Sequence, residues 1–166
     1  RWLALHGTNS ILRFVEAGVG CPEERDDVME MLGTQFKAHP PIGPFRVEIT
    51  DRNHALTKGL EDFDVIDELY ITKTKAPIQV LMQTRFDGEA TGFVEANYDN
   101  VVVPILYLRD HGKGGVLYNT LGHCRSHFDV IELMPFWDHP ERCGWNYPVY
   151  YETLRRGISW AMGELA

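Results

Sequence analysis

The apolar positions of this chain fall into short runs separated by glycine-rich turns, a pattern of strands more than of helices. Ile105–Leu108 and Val116–Tyr118 are the clearest pair. They are split by His111, Gly112, Lys113, Gly114 and Gly115, and together they predict a β-hairpin. The second strand runs straight into Leu121-Gly122-His123. A histidine just past the end of a buried strand is well placed for chemistry, because open sheets put their sites there. A histidine that merely caps a turn fits the spacing equally well.

Trp2-Leu3-Ala4-Leu5 reads as a strand inside a sheet and passes into His6-Gly7-Thr8-Asn9-Ser10. Asn9 or Ser10 would cap a short helix extending through Glu16. Asp26 and Asp27 open a helix to about Leu32, with the acids at its positive end. Phe45-Arg46-Val47-Glu48-Ile49 alternates with period two, a strand with one wet face. His54-Ala55-Leu56-Thr57 is a short helical piece ending at Gly59, and Ile78 to Met82 is a further strand. Residues 85 to 101 read as a surface excursion and residues 128 to 147 as irregular and aromatic. Tyr151, Leu154, Ile158, Trp160 and Ala161 follow a helical period and predict a helix from Tyr150 to Leu165. The whole is mixed α/β, opening with one unit of a parallel sheet and continuing with antiparallel strands.

Composition narrows the partners. The 166 residues, 44% hydrophobic, make one ordinary domain with a real core. Sixteen basic residues against 24 acidic ones, with the basic ones scattered, argue against a nucleic-acid or anionic-membrane surface. A small uncharged or cationic molecule suits the balance better, and a homo-oligomer is left open. Cys21, Cys124 and Cys143 stand apart without disulfide-framework or zinc-knuckle spacing. No run reaches the ~18 apolar residues of a membrane span, and no signal peptide is visible. The default location is cytoplasmic. The abrupt apolar start without Met weakens that default, since it predicts the C-terminal part of a longer protein whose targeting segment would lie upstream.

Three groups could do chemistry: His6, the Asp67-Glu68 pair with Tyr70, and His123, each where apolar sequence meets solvent. On a strand Asp67 and Glu68 point to opposite faces, and Glu68 shares the face of Ile66 and Tyr70. Glu68 is therefore the inward carboxylate and Asp67 the solvated one. His54 is either a turn residue or part of a substrate loop. His39 and His139 precede prolines and read as loop structure. His127 would pair with His123 on a metal only if a helix spanned both. Lys113 reads as a solvated turn residue, and Cys124, beside His123 on extended chain, points away from it as a structural thiol.

Ala4-Leu5-His6-Gly7, Leu32-Gly33-Thr34-Gln35-Phe36, His54-Ala55-Leu56-Thr57-Lys58-Gly59-Leu60, Asp67-Glu68-Leu69-Tyr70, Gly112-Lys113-Gly114-Gly115-Val116 and Leu121-Gly122-His123 occur in one order. Together with Gly157-Ile158-Ser159-Trp160-Ala161, that order resembles the trehalose-utilisation (ThuA-like) family. The resemblance implies a flavodoxin-like three-layer α/β sandwich related to class I glutamine amidotransferases. This chain would be the C-terminal portion of such a domain, with added antiparallel strands and without its N-terminal βα half. The amidotransferase relatives carry a nucleophilic Cys where this turn reads His6-Gly7-Thr8, so glutamine hydrolysis is not expected. The family commonly has His-Pro at His54-Ala55 and Arg at Gly115; losing that Arg removes an anchor from the turn.

Carried over residue by residue, the resemblance makes His6, Glu68 and His123 the expected catalytic residues. Tyr70, His54 and Asn9 become the expected substrate contacts. The implied activity is sugar catabolism on a glycoside or a 3-keto-glycoside. In that reaction a base, an acid and enolate stabilisation are needed, and a divalent metal held by the same three groups would serve the last role. Tyr70, Tyr118, Trp137, Trp145 and Tyr147 would suit stacking on sugar faces. The alternative is a non-catalytic carbohydrate- or partner-binding module on the same fold.

Overall fold

A computed structural model describes residues 1–125 and 141–165. Ten strands and two α-helices are present among them: β1 (Trp2–Leu5), β2 (Arg13–Val15), β3 (Gly18–Gly20), α1 (Asp26–Leu32), β4 (Thr34–Ala38), β5 (Gly43–Ile49), β6 (Phe63–Asp67), β7 (Ile71–Thr74), β8 (Gln79–Glu89), β9 (Asn97–His111), β10 (Gly114–Asn119) and α2 (Pro148–Met162). Six strands form the main sheet in the order β1-β10-β9-β8-β5-β6, while β2 pairs with β3 and β4 with β7. The predicted hairpin is β9–β10, turned by Gly112 and Lys113. His127, His139, Trp137 and most of the 128 to 147 segment lie outside the described residues.

The layering follows from alternation along β10. Val116 and Tyr118 join Ala4, Tyr107 and the α1 residues Met29 and Leu32 in one buried cluster. Leu117 joins Ile105, Leu106 and the α2 residues Tyr150 and Trp160 in the other. Successive side chains of a strand face opposite ways, so the two helices cover opposite faces and the molecule has three layers. α2 sits close because Gly157 lacks a side chain; a Cβ there would meet Leu3 and Leu117 at 3.1 and 3.2 Å. No helix among the described residues is long and apolar enough to cross a membrane.

Two features decide where the ends of the strands meet. β1 lies parallel to β10, with Leu5 opposite Asn119, so His6 and the Thr120–His123 segment leave the sheet at the same edge. β6 is at the far end of the strand order. In a flat sheet five strand spacings would put it ~24 Å from β1. The sheet instead curls. β5 pairs with β8 only through Glu48 and Ile49 but with β6 through Gly43–Val47, so the β5–β6 ribbon swings out of the plane. Register shifts in the β8–β9 ladder at Val80/Met82, Met82/Gln83 and Phe86/Gly88 add to the bend, as bulges do.

Two segments depart from expectation. Residues 85 to 101 lie at the surface as expected but are mostly regular strand: β8 and β9 continue their ladder out to Glu89 and Asn97. Gly88, which reads as a breaker, occupies a bulge at φ +143°. Nor does a helix run from Asn9 to Glu16. One 3₁₀ turn, His6–Asn9, is followed by the β2–β3 hairpin. The cap is missing because Asn9 is drawn into tertiary bonds: its backbone N–H donates to the Tyr118 hydroxyl (2.9 Å) and its amide Nδ2 to Thr34 Oγ1 (2.7 Å).

Tyr118 also donates its hydroxyl hydrogen to the His6 carbonyl at 2.6 Å, so one buried phenol holds both ends of that turn. Replacing Tyr118 by Phe should lower the unfolding free energy by about 2 kcal/mol, since a buried donor and acceptor each lose their partner. Urea denaturation of the two proteins measures it.

Candidate active site

His6 is placed by strain as well as by topology. It follows β1 at φ +35°, a left-handed conformation uncommon for a residue with a side chain. Its Nδ1 lies 2.8 Å from the Thr120 carbonyl and its Nε2 3.2 Å from Glu68 Oε2. A carbonyl only accepts, so Nδ1 carries the hydrogen and Nε2 faces the carboxylate. Thr120 belongs to the segment that leads on to His123, so the two histidines are oriented together. His123 puts Nδ1 3.0 Å from the same Glu68 oxygen and Nε2 3.2 Å from Glu141 Oε2. Glu141 is itself held by a two-way backbone bridge to Arg125.

Glu68 is thus the hub, 5% exposed, with His39 Nε2 3.4 Å from its other oxygen. Burial pushes its carboxyl up. The hydrogen bonds of His123 and His6 and the charge of His39 more than reverse that, and hold it well below the usual carboxylate range. For His123 burial disfavours the imidazolium, yet the Glu68 and Glu141 carboxylates raise its pKa above the ordinary imidazole value. Tyr70 closes one wall, its ring 4.0 Å from that of His6 and stacked at 6.3 Å with His39. Burial, and then the charge of Glu68, push its hydroxyl up to about 12, so it stays a neutral phenol.

Asp67 departs from its expected role. It is buried, not solvated, because it shares the inward face of β6 with Val65 while Ile66 points out, and β6 ends there, which lets Glu68 turn inward as well. Its Oδ1 accepts the backbone N–H groups of Glu68 (2.7 Å) and His123 (3.1 Å), and its Oδ2 those of Gly122 (2.8 Å) and Gly144 (3.0 Å). Burial raises its pKa against the pull of these N–H groups. The last strand of the sheet is thereby tied to the segment after β10. Gly122 must stay bare for this. At φ +105° it packs against the Tyr150 hydroxyl with no room for a Cβ.

The structure brings His6, Glu68, His123 and Tyr70 together and leaves two expected substrate contacts elsewhere. Asn9 has no exposed surface, and its amide goes to Thr34. His54 sits in a turn fixed by Asp51, where its Nδ1 accepts the Leu56 N–H. Cys124 is exposed while His123 is buried, so the neighbours do face apart. His39 and Glu141 join the cluster although sequence patterns did not point to them. His39 follows the end of β4 just as His6 follows β1, a signal available once Thr34–Ala38 is read as a strand. Glu141 carries no local signal. A cavity of about 470 Å³ beside this cluster is lined by Pro40, Phe45, Asp67, Leu69 and Phe86 among others, and by none of the three central residues.

Asp67→Ala would strand the N–H groups it accepts and should cost about 3 kcal/mol of stability, readable as a lowered urea midpoint. Asp67→Asn, which keeps the shape but turns one acceptor into a donor, should fall between that variant and the parent.

Comparison with known proteins agrees with this architecture. The family model described as trehalose utilisation, ThuA, matches residues 10–136. A ThuA-like protein from Bacteroides uniformis superposes with a TM-score of 0.53 at 19% identity, covering 74% of this chain and 49% of the other. One from Parabacteroides merdae gives 0.54 at 15% identity, with 96% and 50% covered. The chain spans about half the length of these solved structures. No curated protein matches the sequence. The layered sheet is therefore flavodoxin-like, and the chain belongs to the ThuA, or trehalose-utilisation, family.

Proposed function

We propose that this chain carries the acid/base centre of a sugar-catabolic enzyme acting on a glycoside or its 3-keto derivative. One observation carries the reading: two imidazoles converge within hydrogen-bond reach on a single oxygen of the buried Glu68 carboxylate, at the edge where the sheet delivers its strand ends. Residues that only bind a sugar have no need of such a cluster. The family's link to trehalose utilisation supports sugar as the substrate class.

The chemistry follows from the substrate. A ketone at C3 acidifies the proton at C2. A base takes that proton, the C2–H electron pair moves into the enolate, and collapse of the enolate expels the C1 oxygen, which leaves as an alcohol after taking up a proton. A carboxylate held as low as Glu68 is a weak base by itself and a good partner for an imidazolium. The proton is accordingly carried by the His123 ring, whose charged form Glu68 stabilises much as the aspartate of a hydrolytic triad does, with His6 as the second imidazole on the same oxygen. Tyr70, neutral and with its ring 4.0 Å from that of His6, offers a hydroxyl to the sugar.

Turnover is tested by giving the intact protein a 3-keto-disaccharide and following release of the C1 substituent. His123→Ala should lower kcat by about 10²–10⁴-fold. Absence of turnover by the intact protein, with and without added divalent metal, would overturn the proposal. Sugar binding without turnover would make the chain a carbohydrate-binding module.

A further inference from the structure

We infer that His6, Glu68 and His123 form a binding site for a divalent transition-metal ion. The ring nitrogens are arranged for it. The Thr120 carbonyl fixes the hydrogen of His6 on Nδ1, so in the neutral ring Nε2 presents a lone pair to Glu68 Oε2. For His123, the hydrogen on Nε2 satisfies Glu141 and leaves the Nδ1 lone pair facing the same oxygen. In those tautomers two nitrogen lone pairs and a carboxylate oxygen face one another, an arrangement that needs a positive charge between them, either a proton or a metal ion. A single divalent ion does this with both rings neutral and takes the place of the proton that His123 otherwise shares with Glu68.

The dimensions fit. The three donor atoms lie within 4.8 Å of one another, with His6 Nε2 and His123 Nδ1 at 3.2 and 3.0 Å from Glu68 Oε2. Bonds of ~2.0–2.1 Å to a shared ion would set neighbouring donors ~3.3 Å apart in a tetrahedron and ~2.9 Å apart in an octahedron. The surroundings match as well. Metal-binding histidines hand their second ring N–H to a carbonyl or a carboxylate, and here Thr120 and Glu141 receive them. The remaining Glu68 oxygen is held by His39, whose own Nδ1 is 2.9 Å from the Pro40 carbonyl. Two imidazoles and one carboxylate suit Zn(II), Fe(II), Co(II) or Mn(II) better than Ca(II) or Mg(II), which prefer all-oxygen cages. Three protein donors leave coordination positions open, as in catalytic rather than structural sites. Coordination by these three groups is independent of which substrate the protein takes.

The intact protein, stripped with a chelator, should bind one Co(II) per chain, with a visible d–d absorption that Zn(II) displaces. His111→Ala, at the exposed hairpin tip, should bind as the parent does. Glu68→Gln and His123→Asn should each weaken binding at least 100-fold, with folding checked by circular dichroism. Glu141→Gln, outside the coordination sphere, should weaken it about 10–100-fold and covers the case in which an inner variant fails to fold. A parent that binds neither ion at one per chain, or an affinity unmoved by Glu68→Gln or His123→Asn in folded protein, overturns the inference. The measurement uses no sugar, so its failure is separate from failure of the turnover assay.

Discussion

The buried carboxylate of Asp67 is the constraint on which the rest of this molecule depends. It closes a gap that hydrogen bonding within the sheet cannot close, between the strand at one end of the order and the segment that follows β10. Four backbone N–H groups converge on its two oxygens. Burying a carboxylate is costly, and such a group persists only where its lone pairs are satisfied. Both glycines that meet it leave the necessary room, and a Cβ at Gly144 would stand 2.7 Å from Asp67 Oδ2. Trp145 adds a second tie through its indole N–H to the Gly122 carbonyl.

With that latch in place, the chemistry of the edge becomes a matter of topology. β1, β10 and β6 all run toward the same rim, and each hands over its polar residue within a few positions of its end: His6, His123 and Glu68. The helices contribute no donor to the cluster. Their work is to cover the two faces, α1 through Met29 and Leu32 and α2 through Tyr150 and Trp160. The site is thus rigid where a strand end and a backbone bond define it, as at His6, which the Thr120 carbonyl and the Tyr118 hydroxyl hold from two sides.

Much of this was legible in the sequence, for reasons that are local. The hairpin announced itself through apolar runs and glycines, and His6 and His123 through their places after strands. Glu68 was reached by a partly mistaken route, since the face of Ile66, to which alternation assigns it, is the exposed one. The strand ends at Asp67, so Glu68 escapes the alternation and is buried beside it. What stayed hidden depends on distance along the chain. The curl of the sheet, the partners of Asp67 and the role of Glu141 are set by contacts between segments that share no sequence pattern. His39 was obscured by its two following prolines, which read as loop chemistry and drew attention from the strand before it.

The cluster joins residues far apart in the chain: His6 meets Thr120 across 114 positions and Glu68 across 62, and Glu68 meets His123 across 55. Contacts of such span form late, because the entropy of closing long loops must be met before they give anything back. Among the described residues no hairpin or helix contains even two of the three central groups. Competence therefore arrives with completion. A chain caught before its sheet has curled shut has neither the orientation of the imidazoles nor the burial of the carboxylate, so the cluster cannot exist on a half-folded molecule.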